Sequence, residues 1–93
     1  MDMNLRSQVR HYVMQRLRMK GDGAALGDED SLFSSGRLDS LDAVETIVFV
    51  ETEYGVHFSE IDFDLTLLDS IAAITNLVDR RMASKGMRSQ PTR

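Results

Sequence analysis

Leu38-Asp39-Ser40-Leu41-Asp42-Ala43-Val44-Glu45, continuing through Thr46-Ile47-Val48-Phe49-Val50 to Glu51-Thr52-Glu53-Tyr54-Gly55-Val56, is the stretch on which the fold turns. Asp39 or Ser40 can cap a helix by accepting bonds from the free N–H groups of its first turn. On a helical wheel Ala43, Ile47, Val50 and Tyr54 fall on one side, the expected core face, and Gly55 ends the pattern. Leu41, Val44 and Val48 form a second apolar stripe on another side, interleaved with Glu45 and Glu51. A helix needs one stripe to pack in its own domain, so a second one studded with acids reads as a docking surface rather than as core.

Upstream, Leu5, Val9, Tyr12, Val13 and Leu17 keep the spacing of one helical face, which predicts a first helix to about Lys20, ended by Gly21 and Gly23. The loop from Gly21 to Leu38 is rich in Gly, Asp and Ser, but Leu32 and Phe33 are an apolar pair suited to pinning it across a helical core. Downstream, Val56, Phe58, Ile61 and Phe63 lie in a short segment broken by acids, where a single-turn helix or an irregular loop is expected. The last helix is predicted from a cap at Asp69 or Ser70 to about Ala83, with Ile71, Ile74, Leu77, Val78 and Met82 as its apolar face. The reading is all-α: a small four-helix bundle of three longer helices and one short one, over residues 1–83, with a flexible basic tail over 84–93.

Ninety-three residues make one core, and no apolar run is long enough to span a bilayer or to serve as a secretory signal, so a monomer in the cytoplasm is expected. The absence of cysteine excludes disulfides and thiolate catalysis, and His11 and His57 stand far apart, so no metal site is expected. Asp62-x-Asp64-x-Thr66 begins like a calcium loop, but Leu67 replaces the required glycine and Ala73 the bidentate acid. The net charge of −4 conceals an asymmetry: between Gly21 and Ser70 thirteen acids face only Arg37, while the ends carry ten bases against Asp2 and Asp79. Such a middle repels nucleic acid and reads either as an acidic face that steers basic protein partners or as a merely solvated surface.

Ser40 admits three readings. A hydrolase nucleophile would need a base and a Gly-x-Ser-x-Gly elbow, and Leu38-Asp39-Ser40-Leu41-Asp42 has neither, so no catalytic residue and no enzymatic activity are expected. A bare helix cap is the second; with it the chain would be a small acidic adaptor that docks through the second helix. The third is a modified serine at a helix N-terminus, where free N–H groups and the helix dipole favour a phosphodiester.

In Leu38-Asp39-Ser40-Leu41-Asp42-Ala43-Val44-Glu45 and Glu51-Thr52-Glu53-Tyr54-Gly55-Val56 the chain resembles the acyl carrier protein family. The resemblance implies that Ser40 carries 4'-phosphopantetheine, transferred from coenzyme A by a phosphopantetheinyl transferase. It implies that acyl groups ride as thioesters on that arm to lipid, fatty-acid or polyketide-type synthases and transferases with basic docking patches. It also implies that Asp39, Leu41, Asp42, Val44, Glu45, Val48 and Glu51 form the recognition surface. Phe33-Ser34-Ser35-Gly36-Arg37-Leu38 departs from the acid-rich approach of primary fatty-acid carriers and sets Arg37 beside that surface, which implies a specialised carrier. A cavity for cargo is expected among Val50, Tyr54, Phe58, Phe63, Ile71 and Ile74.

Overall fold

The computed structural model describes residues 4–58 and 64–88. Among the described residues lie three α-helices and a 3-10 turn: α1 over Leu5–Met19, α2 over Ser40–Tyr54, the 3-10 turn over Leu65–Leu68 and α3 over Ile71–Arg88. The described residues are helical without strands, in agreement with the all-α reading.

Each helix start has a local cause. The Asn4 side chain accepts the N–H of Ser7 at 2.8 Å and opens α1, and the Ser70 hydroxyl accepts the N–H of Ala73 at 3.0 Å and opens α3. α2 has a reciprocal cap: the Asp39 carboxylate takes the N–H of Asp42 at 3.1 Å, and the Asp42 carboxylate takes the N–H of Asp39 at 3.0 Å. At its other end Gly55 sits at φ 69°, and its N–H donates to the Glu51 carbonyl at 3.0 Å. An alanine there must adopt the left-handed conformation, so Gly55→Ala is expected to cost about 1 kcal/mol and lower Tm by about 4–8 °C in a thermal melt.

The core is built where the periodicity placed it. Val9, Val13 and Leu17 of α1 meet Ile71, Ile74, Leu77 and Val78 of α3, and α2 contributes Val50 with Ile47 and Tyr54 half-buried against it. Burying a side chain of this kind contributes about 1.5–3 kcal/mol, which offsets part of the roughly 1–2 kcal/mol per residue that ordering the long loop costs. That loop is pinned as its apolar residues required: Leu26, Leu32 and Leu38 are core residues and Phe33 packs on their edge. Polar stitches complete the attachment. Asp69 accepts the N–H groups of Leu32, Phe33 and Ser34 and the hydroxyls of Ser31 and Ser34, and the Ala72 N–H donates to the Asp28 carbonyl at 2.8 Å.

Three expectations are corrected or bounded. The backbone of α3 remains helical to Arg88, past the Ala83 boundary, because a single glycine, Gly86, weakens a helix without ending it. Met82 keeps the register of Ile71 and Val78 but is 46 % exposed, lining an open cleft rather than the closed core. The short helix expected between Val56 and Phe63 falls mostly outside the described residues, and the 3-10 turn at Leu65–Leu68, opened by Asp64 accepting the N–H of Thr66 at 2.9 Å, lies beyond that segment.

Candidate functional site

Ser40 is the first helical residue of α2 and is exposed. Among the described residues its hydroxyl has no hydrogen-bond partner, and Asp39 does the capping. The cap accounts for the N–H of Asp42, and the N–H of Ala43 goes to the Asp39 carbonyl at 3.0 Å, which leaves those of Ser40 and Leu41 for an acceptor from outside. A free hydroxyl beside unpaired N–H groups at the positive end of a helix fits a phosphodiester.

On α2 the second apolar stripe is at the surface: Leu41 is 64 % exposed, Val44 55 % and Val48 50 %. Glu45 and Glu51 flank it in solvent, and Glu51 also accepts the N–H of Phe58 at 3.2 Å. Exposed apolar side chains on a helix whose opposite face is already packed contribute nothing to folding, so they are available to a partner.

Asp42 is not part of that surface. It is 3 % exposed, and its carboxylate receives Arg16 Nε at 3.0 Å and Nη2 at 2.8 Å, Lys20 Nζ at 2.9 Å and the N–H of Asp39. Burial alone would raise its pKa, but the Asp39 N–H, Lys20 and Arg16 outweigh it and hold the carboxyl well below the usual carboxylate range. Its role as a recognition residue, expected from the sequence, is therefore corrected: it faces inward and clamps α1 to the start of α2. The signal was present as the Asp39-x-x-Asp42 spacing of a capping box. Arg16 and Lys20, by contrast, carried no mark in the sequence that tied them to this site.

Electrostatic pairing also redraws the charge map. Arg37, expected to bring a positive charge to the docking surface, instead clasps Asp22 through Nε at 2.9 Å and Nη2 at 3.1 Å and donates to the carbonyls of Ala24 and Ala25. Arg6 and Arg10 engage Asp28, and the Arg10 guanidinium holds that carboxyl below its ordinary value. The bases of α1 thus neutralise acids of the middle segment, and the exposed acid left on α2 is mainly Glu45, Glu51 and Glu53.

The cargo cavity expected among Val50, Tyr54, Phe58, Phe63, Ile71 and Ile74 does not appear among the described residues. Val50, Ile71 and Ile74 are closed into the core, and Phe63 lies outside the described residues. An open cleft of about 500 Å³ is lined instead by Leu5, Gln8, Tyr54, Asp79 and Met82, with the Tyr54 hydroxyl donating to Gln8 Oε1 at 2.7 Å. His11 and His57 are exposed, and among the described residues no cluster of His, Cys, Asp and Glu could hold a metal. No helix of the described residues is long and apolar enough to cross a membrane.

A family model described as the phosphopantetheine attachment site matches residues 7–78, from within α1 through the pinned loop, α2 and the 3-10 turn to the first half of α3. Comparison with curated proteins and with solved structures gives no match. Domains of this family take up covalent 4'-phosphopantetheine and serve as carriers, which implies a phosphopantetheinyl transferase and acyl-processing enzymes as partners. With three quarters of its length inside the match, this chain belongs to the phosphopantetheine-attachment family of acyl carrier proteins.

Proposed function

We propose that Ser40 is the attachment point and that the chain is a monomeric cytoplasmic carrier, without catalysis of its own, for a specialised pathway of lipid, fatty-acid or polyketide type. One observation carries this reading: Ser40 offers an exposed hydroxyl with no partner among the described residues at the N-terminus of α2, while the neighbouring Asp39 supplies the cap. The adaptor alternative gives Ser40 no role beyond the helix cap; Asp39 does that capping, which favours the attachment reading. Once attached, the arm supplies a thiol that holds acyl groups as thioesters; the protein supplies the address.

That address is the surface of Asp39, Leu41, Val44, Glu45, Val48 and Glu51. Its acids accelerate encounter with basic grooves without tight binding, since exposed charges are screened beyond roughly 8 Å at physiological salt. Its apolar stripe supplies the contact. Leu41→Ala is expected to leave the melting curve unchanged while lowering kcat/KM for loading by a transferase about tenfold, the value of a few methylene groups buried on docking. An unchanged kcat/KM would remove Leu41 from the surface.

The chain contains no cysteine, so any thiol it acquires must come from the arm. After treatment with coenzyme A and a broad phosphopantetheinyl transferase, a maleimide probe should label one thiol per chain, against none before. No labelling with any transferase would return the chain to the class of acidic adaptors.

A further inference from the structure

Lys20 stands just past the end of α1, and its ammonium reaches Asp42 Oδ2 at 2.9 Å and Asp39 Oδ2 at 3.2 Å. The first contact serves the buried clamp. The second does not serve folding in the same way. Asp39 has a side chain 62 % exposed, and it caps α2 through its other oxygen, Oδ1. Without Lys20, Asp42 would still hold the Arg16 guanidinium at two atoms and the Asp39 N–H. The Lys20–Asp39 bond therefore satisfies no group that would otherwise be buried and unpaired.

Its position gives it another consequence. Asp39 directly precedes Ser40 and is the acid nearest the hydroxyl on the exposed start of α2. Asp39, Asp42, Arg16 and Lys20 form a cluster of two acids and two bases, so a basic groove approaching Ser40 meets no net negative charge there until Lys20 lets go. We infer that Lys20 is an internal competitor for Asp39, occupying the carboxylate oxygen that a cationic side chain of the transferase would take, and thereby weakening recognition of the unloaded chain. Lys20 is a specificity-determining residue acting through Asp39, and the inference rests on the reading of Ser40 as the attachment point.

An exposed ion pair is a weak competitor, so in loading assays Lys20→Gln should lower KM for the carrier about 2- to 5-fold with kcat unchanged, and Lys20→Arg should restore the wild-type KM. In an Asp39→Asn background the Lys20→Gln advantage should vanish. An unchanged or raised KM in Lys20→Gln overturns the inference, as does an equal fall in Lys20→Arg, which would mark a loosened clamp. The wild-type chain offers a readout independent of variant folding. Its lysines are Lys20 and Lys85, so a ¹⁵N-labelled Lys20 ammonium is readily assigned. Its resonance should shift on titration with the transferase, and a resonance that stays fixed at saturation overturns the inference. Failure of the wild-type chain to load at all would instead sink the attachment reading.

Discussion

Asp42→Ala is expected to destabilise the fold by about 3 kcal/mol, at the low end of the cost of stripping one partner from a buried ion pair, because Arg16 and Lys20 keep some access to water. The substitution also removes half of the reciprocal cap at the start of α2. For a domain of this size the melting temperature should fall by about 12–24 °C, a large part of a total stability on the order of 5–14 kcal/mol. The same group predicts an acid dependence. Its pKa is lower folded than unfolded, where a free aspartate titrates near about 3.9. On acidification the unfolded chain binds the proton first. The stabilisation from Asp42 is thus fully present above about pH 5 and is lost as pH falls below that. Asp22, Asp28 and Asp69 are shifted in the same direction and reinforce the trend. The stability gap between wild type and Asp42→Asn, read from urea melts, should stay constant above about pH 5 and shrink from there toward about pH 3. A constant gap would mean that packing, not charge, sets the cost.

Ser40→Ala is expected to separate folding from function completely. The Ser40 hydroxyl holds nothing in place and alanine is the best helix former, so the variant should melt within about 0.5 kcal/mol of wild type. Loading, however, should fall to zero, since no other nucleophile replaces an oxygen at that position. This combination is rare for a residue at a helix start: substitution of a true capping serine costs about 1 kcal/mol. A marked loss of stability in Ser40→Ala would show that the hydroxyl has a structural partner after all.

Much of this was legible in the sequence, for reasons that are local. The ends of α1 and α2 follow from apolar period and from Gly21 and Gly55, whose positive φ lets the chain turn away. The exposure of Leu41, Val44 and Val48 followed from counting two apolar stripes on one helix when only one can be packed. What the sequence misplaced depends on contacts between distant segments. Asp42 looked like one more acid on a polar helix; it is buried because Arg16 of α1 and Lys20 just past its end meet it there. Arg37 looked like a stray surface charge until Asp22 folded back across the loop to receive it. Of the side chains expected to line a cargo pocket, Val50, Ile71 and Ile74 instead close the core, and Phe63 lies outside the described residues. α3 extends to Arg88 because Gly86 alone weakens a helix without ending it and the sequence has no proline before Pro91.

The most direct test of the central claim is to locate the arm on the loaded wild-type chain. Trypsin cuts after Arg37 and next after Arg80, so Ser40 falls within one peptide, separate from Ser31, Ser34 and Ser35. Fragmentation of that peptide by mass spectrometry should place a single phosphopantetheine on Ser40. An arm on Ser59, Ser70 or any serine of the preceding loop would contradict the account, because it would show that the helix start at Asp39-Ser40 is a cap and nothing more.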